Sequence, residues 1–269
     1  MIKKLFGLFL LLSTVNLYAA KVDTVLTYSA SMNKNIKACV VTPEKYKESG
    51  KLPVVYYLHG YSGSFASWDA AEITKLADLY NFIIVFPDGN YSSWYFDSPI
   101  DNTSKYETYV SKELVEWIDK DYRTIPSREG RAITGLSMGG HGSFFIAFRH
   151  QDVFGSCGSM SGGVDIRPFP LNWDIAKRLG EMKTHPENWE KYTVMNQLHL
   201  LTPNSIKIIF DCGTGDFFYG VNVKLHEELL YRNIPHDFIS RPGVHNKEYW
   251  DNSFKYQALF FSDYFKHKK

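Results

Sequence analysis

Two kinds of apolar pattern alternate along the chain. The stretches "LPVVYYLHG" (52–60) and "FIIVFPDG" (82–89) are unbroken apolar runs closed by turn residues. That pattern marks strands buried on both faces of a parallel sheet. Between them, "SWDAAEITKLADLYN" (67–81) has helical spacing, with Ala71, Leu76, Ala77 and Leu79 expected to face the sheet. Strand, helix, strand makes one βαβ unit. Ahead of it, "TVLTYSASMNKNIKACVVTP" (24–43) reads as a hairpin turning at Asn33–Asn35. A second helix is predicted over 104–122, with Tyr109, Leu114, Trp117 and Ile118 about one turn apart. Strands follow at "RAITGLS" (131–137), "GSCGSMSG" (155–162), "SIKIIFDCGTGD" (205–216) and "HDFIS" (236–240). Helices are predicted at 139–150, 220–233 and 248–266. This alternation predicts an α/β fold: one open, mostly parallel sheet with helices on both faces.

Residues 164–204 break the alternation. They hold Pro168, Pro170, Pro186 and Pro203 together with Phe169, Trp173 and Trp189. They are expected to form a short inserted cap within a single domain spanning 21–269. The first twenty residues, "MIKKLFGLFLLLSTVNLYAA", have two lysines, an apolar run and then small residues. That is a leader pattern, with cleavage expected near Ala20. The apolar run is short for a membrane span of about 20 residues. The product is therefore expected to be exported, periplasmic or secreted, without stable membrane association. Thirty basic and 29 acidic residues leave a net charge of +1. Nothing in that balance suits a nucleic-acid partner, which calls for a basic excess. Cys39, Cys157 and Cys212 are too few for a disulfide scaffold and lack metal-ligand spacing, so buried thiols are expected.

The chemistry centres on "GLSMG", residues 135–139. It matches G-x-S-x-G, it follows a predicted strand, and it opens a predicted helix, which is the context that motif requires. A tight turn would present Ser137, and a Cβ at Gly135 or Gly139 would clash with the neighbouring strand and helix. A serine nucleophile needs a base, and the base needs an orienting carboxylate. In the hydrolase order both come later in the chain. Asp216 stands on the loop after the strand at 205–216, and His245 on the loop after the last strand. Asp211 lies inside a strand and is expected to be structural. His141, His150, His226 and His236 lie on predicted helices or at a strand start, and His199 belongs to the cap. His59 is a site neighbour, but it precedes the serine. Two backbone N–H donors are needed for an oxyanion, and Met138 and Tyr61 are placed to supply them.

Six motifs occur in a family order: "LHGYSGSFASW", "NYSSWYFDSP", "SKYETYVSKELVEWID", "GLSMGGHGS", "CGTGDFFYGVN" and "GVHNKEYW". In these the chain resembles the esterase D-like α/β-hydrolases, in particular the feruloyl esterase and tributyrin esterase-like branch that includes acetyl-xylan esterases. The resemblance covers nearly all of 22–265. It implies an α/β-hydrolase fold, Ser137 as nucleophile, Asp216 as acid, His245 as base, and Tyr61 and Met138 as backbone donors. No metal or organic cofactor is implied. Trp94 and Asp97 fall in a family loop that lines the pocket, with bracing the expected role of Asp97. Glu107 is expected to brace the same loop. His59, Phe169 and Trp173 complete the pocket candidates, the last two as rings for a sugar or phenolic group. Val244 and Lys247 depart from the glycine-rich family pattern beside the histidine.

The expected activity is an exported serine carboxylic ester hydrolase, acting on feruloyl or acetyl esters of xylan. Its partner would be a small-molecule or oligosaccharide ester. The alternatives are a general short-chain acyl esterase, an S-formylglutathione hydrolase-like enzyme, or a carbohydrate-binding protein on a hydrolase scaffold.

Overall fold

The unbroken apolar runs become the middle of one eight-stranded sheet. The computed structural model describes residues 20–267. The leader expected over the first twenty residues lies outside the described residues, apart from Ala20. The strands are β1 (Lys21–Ser29), β2 (Lys34–Thr42), β3 (Val54–Leu58), β4 (Ile83–Pro87), β5 (Arg131–Gly135), β6 (Ser156–Met160), β7 (Lys207–Gly213) and β8 (Asp237–Arg241). Their order is β1-β2-β4-β3-β5-β6-β7-β8. β1 and β2 are antiparallel, as are β2 and β4; every other pairing is parallel. The hairpin turn falls at 30–33, slightly earlier than the pattern suggests.

The helices are α1 (Ala70–Tyr80), α2 (Tyr106–Thr108), α3 (Leu114–Asp121), α4 (Met138–Arg149), α5 (Ala176–Leu179), α6 (Pro186–Lys191), α7 (Tyr219–Tyr231) and α8 (Lys247–Lys266). A π-helical turn, Tyr109–Glu113, joins α2 to α3, so the helix expected at 104–122 is present but locally widened by a turn that holds one extra residue. Strand alternation sends Val54, Tyr56 and Leu58 to one face of the sheet and Val55 and Tyr57 to the other. The first face packs α3, α4 and α7, and the second packs α1 and α8.

α1 corrects one expectation. Asp69 caps it, its side chain accepting from the Glu72 N–H at 3.0 Å. At about 100° per residue, Ile73, Leu76 and Ala77 then share the buried face. Ala71 and Leu79 turn to solvent, and Leu79 is 69% exposed. Cys39, Cys157 and Cys212 are buried free thiols. Among the described residues, no helix is long and apolar enough to cross a membrane.

Residues 164–204 hold only short helices, yet they are fastened to the body. Val164, Ile166, Ile175, Leu179, Trp189 and Val194 are buried in the same core as α4. His141 of α4 is fully buried against Trp94, Phe96 and Phe145, and its Nε2 donates to the Tyr192 carbonyl at 2.9 Å.

Burial pushes the His141 pKa down from 6.5 to about 4. The unfolded chain therefore takes up this proton first as pH falls. The contribution is complete above pH 6.5 and is lost on the way down to about 4. Wild type is expected to lose roughly 2–3 kcal/mol more stability than His141→Phe between neutral pH and about pH 4.5. Urea unfolding of both chains at the two pH values checks this.

Candidate active site

β5 stops at Gly135, and the chain turns at once into α4. Ser137 sits on the turn at φ 55° and ψ −116°, a backbone rarely adopted by a residue with a side chain. Three backbone hydrogen bonds over-determine it, one of them from the Gly163 N–H to its carbonyl at 3.3 Å. Its N–H donates to the Met160 carbonyl at 2.9 Å, and its carbonyl accepts from the His141 N–H at 3.0 Å. A Cβ on Gly135 would stand 2.5 Å from the Gly139 carbonyl carbon, and one on Gly139 would stand 2.1 Å from the Leu58 oxygen. No side chain fits at either position.

Ser137 Oγ lies 2.9 Å from His245 Nε2, and His245 Nδ1 lies 2.8 Å from Asp216 Oδ2. An ionised carboxylate only accepts, so Nδ1 carries the proton and Nε2 is left to accept from the Ser137 hydroxyl. The Asp216 side chain is fully buried, and its second oxygen accepts from the Phe218 N–H at 2.8 Å. The loops bearing Asp216 and His245 are stitched together beyond β7 and β8. The Thr214 N–H donates to the Arg241 carbonyl and the Gly215 N–H to the Gly243 carbonyl, each at 2.9 Å.

The backbone N–H groups of Tyr61 and Met138 have no protein acceptor among the described residues. Gly60 backs directly onto the serine, since a Cβ there would lie 3.4 Å from Ser137 Cβ. His59 holds that loop from behind. Its Nδ1 donates to the Gly60 carbonyl at 2.8 Å, and its Nε2 accepts from the Gly89 N–H at 2.7 Å. Burial holds its pKa below the ordinary value, in keeping with that neutral tautomer.

A cavity of about 610 Å³ opens at Ser137 and His245, with lining residues from both α1 and α8. Tyr57, Trp68, Leu136, Trp250 and Phe254 give it apolar walls; Asp69, Glu72, Lys247 and Asp251 give it a charged rim. Lys247 pairs with Asp251 at 2.5 Å and Asp69 at 3.6 Å, joining α8 to α1. At 61% exposure these pairs add little stability.

Of the five expected pocket residues, only Trp173 lines this cavity. His59 lies behind the loop. Trp94 is buried, and its indole donates to the Trp173 carbonyl at 3.0 Å, so it sets Trp173 in place. Asp97 accepts from the Thr108 N–H at 3.0 Å and from the Thr108 hydroxyl at 2.5 Å, bracing its loop against α2. Phe169 packs on Trp173 and Phe218, and Trp189 is fully buried. These side chains turn inward because they attach 164–204 and the 90–99 loop to the body. Glu107 also departs from expectation. It accepts from Arg149 Nε at 2.7 Å and His150 Nε2 at 2.9 Å, bracing the end of α4 rather than the loop.

Among the other candidates, Asp211 is fully buried, His226 and His236 pair at 2.8 Å, and His199 is exposed. Sequence reasoning missed Tyr57, Trp68, Phe217, Trp250 and Phe254. Phe217 carried a signal, since it follows Asp216 directly; its ring lies 4.2 Å from that of His245. The others become neighbours only where α1 and α8 flank the same opening.

The sequence profile of the Esterase family matches residues 29–261. The chain belongs to that family. An esterase of Mycobacterium tuberculosis is 34% identical over 134 residues, covering 48% of this chain but 29% of that protein. The chain thus spans less than a third of that relative's length. An acetyl esterase of Caldicellulosiruptor saccharolyticus is 23% identical, covering 86% of this chain and 96% of its own. The solved structure of a ferulic acid esterase superimposes with a TM-score of 0.78 at 28% identity, covering 92% of this chain and 99% of the other. The fold of this family member is that of the α/β-hydrolases.

Gly139→Ala is expected to destabilise the fold by about 3 kcal/mol or more, because backbone rather than a flexible side chain stands in the way. Gly220→Ala, with nothing within 4 Å, is expected to be neutral or to stabilise by up to about 1 kcal/mol. Denaturant unfolding of both variants tests the contrast.

Proposed function

We propose that the protein is an exported serine carboxylic ester hydrolase that works through an acyl-enzyme. The observation that carries this reading is the unbroken hydrogen-bonded chain from Ser137 through His245 to Asp216, at 2.9 and 2.8 Å. His245 takes the Ser137 proton as Oγ bonds to the ester carbonyl carbon. The carbonyl oxygen becomes an oxyanion facing the Tyr61 and Met138 N–H groups and the positive end of α4. The bond to the alcohol breaks, and the alcohol leaves with the proton held by His245. Water gives a proton to His245 and attacks the acyl carbon, releasing the acid and restoring Ser137.

Feruloyl or acetyl esters of xylan are the substrates we favour, with the feruloyl group first. The cavity supports this order, being large and walled by aromatic rings, far roomier than an acetyl group needs. Trp173 and Phe217 stack at 5.4 Å and 20° beside His245, and Phe217 is 52% exposed, which suits contact with a sugar ring on the alcohol side. The leader-like N-terminus supports export to where such polymers occur.

The expected result is faster cleavage of p-nitrophenyl ferulate than of the butyrate or acetate. Ser137→Ala should lose roughly 10⁶-fold in kcat. If acetate alone is cleaved, the protein is a short-chain acyl esterase. Retained activity in Ser137→Ala would remove the serine mechanism.

A further inference from the structure

A buried polar chain runs beneath the site and takes no part in the steps above. Asp211, on β7, is 0% exposed. Its Oδ1 accepts from the Ser253 hydroxyl at 2.5 Å and its Oδ2 from the Gln257 amide at 3.0 Å, both on α8. Gln257 also donates to the Ser159 carbonyl of β6 at 3.1 Å and accepts from the Thr134 hydroxyl of β5. Arg241, the last residue of β8, donates to Ser253 Oγ at 2.5 Å and to the Tyr249 carbonyl at 3.3 Å. Its guanidinium stands 3.9 Å from Asp211.

One carboxylate thus gathers the strands whose ends carry all three site residues. β5 leads into Ser137, β7 into Asp216, and His245 lies between Arg241 and Tyr249. We propose that Asp211 is a positioning residue, setting the turn between β8 and α8, and with it His245, against the ends of β5 and β7. This rests on the serine-esterase reading of the site. A buried carboxylate is a poor source of stability, since well-packed apolar groups serve as well. What it supplies is fixed geometry. A misplacement of about 1 Å at a catalytic group costs on the order of 10²-fold.

The groups facing Asp211 are Arg241 from β8, Tyr249 from α8, Tyr57 from β3, and Cys212 beside it in the chain. Burial raises its carboxyl to about 6, against the opposing pull of Ser253, Arg241 and Gln257. Above that pH both oxygens accept. Below it one oxygen becomes a donor: on the Gln257 side the amide N–H must let go, and on the Ser253 side the hydroxyl must turn its proton to the Tyr249 carbonyl, 3.0 Å away, and accept from the carboxyl instead. The folded state holds this proton more tightly than the unfolded chain does. Uptake therefore adds stability as pH falls from about 6 towards 3.8, and a rate loss that follows Asp211 there is not unfolding.

The test is kcat and KM on p-nitrophenyl acetate and butyrate from about pH 5 to 9, with thermal unfolding curves. The chains are wild type, Ser137→Ala, Asp211→Asn and Ser253→Ala. Asp211→Asn should lose about tenfold or more in kcat at pH 8, with KM within about twofold. Wild-type kcat should step down by about tenfold as Asp211 takes up its proton near pH 6, and Asp211→Asn should lack that step. Ser253→Ala should lose several-fold in kcat, with the step moved to higher pH because the carboxylate has lost a donor. If Asp211→Asn fails to fold, Ser253→Ala decides on that readout. Wild-type kcat and pH profiles in the folded variants, whatever their melting temperatures, overturn the proposal. If Ser137→Ala matches wild type, or no chain cleaves ester above background, the serine-esterase reading fails and takes this proposal with it.

Discussion

At Gly139 the backbone of α4 comes so near the Leu58 carbonyl that a methyl group would stand 2.1 Å from its oxygen. β3, β5 and the start of α4 meet at this point, and their closeness bends the chain at Ser137 into a left-handed conformation. The bend lifts the hydroxyl out of the sheet edge and leaves the Met138 N–H without a protein acceptor. Gly60, on the loop after β3, closes the other side and brings the Tyr61 N–H near. The serine, its neighbours and the loop that faces it are consequences of one packing constraint. Strain at Ser137 is held by its bonds to Met160 and His141, which are made by β6 and α4.

The aromatic residues divide by task. Trp94, Phe169 and Trp189 hold the segment 164–204 and the loop at 90–99 against the body. Their packing leaves Trp173 and Phe217 at the opening, one kept in place by the Trp94 indole and the other by its position next to Asp216. The cavity itself belongs to the opposite side of the sheet, where Tyr57, Trp250 and Phe254 face a gap flanked by α1 and α8. The site is thus two-sided, with an apolar recess on one hand and a stacked pair of rings on the other.

Buried titratable groups pull in opposite directions with pH. His141 is lowered by burial and disfavours the fold in acid, whereas Asp211 is raised by burial and favours it there. Each sits in a hydrogen-bonded position that joins separate elements. His141 ties α4 to the segment after β6, and Asp211 ties β7 to α8. Neither side chain is hydrogen-bonded to Ser137, although the His141 N–H donates to its carbonyl, and both residues lie in elements that the site depends on.

The sheet, its flanking helices and the three site residues were legible in the sequence. Apolar runs reflect strand burial directly, the G-x-S-x-G turn reflects a local steric demand, and Asp216 and His245 follow strands whose C-terminal ends share one edge. Local pattern ran out where contacts join distant segments. Leu79 fits an apolar helix pattern but faces solvent, because the Asp69 cap fixes the phase of α1. His59, Trp94, Asp97 and Phe169 belong to site-bearing segments yet point away from the cavity, and Glu107 reaches Arg149 rather than its own loop. The sequence by itself determined the order of elements and the nucleophile turn, since both depend on neighbours within a few residues. Only the tertiary structure decided the walls of the cavity and the polar chain around Asp211, because each is made of side chains from strands and helices that meet solely through packing.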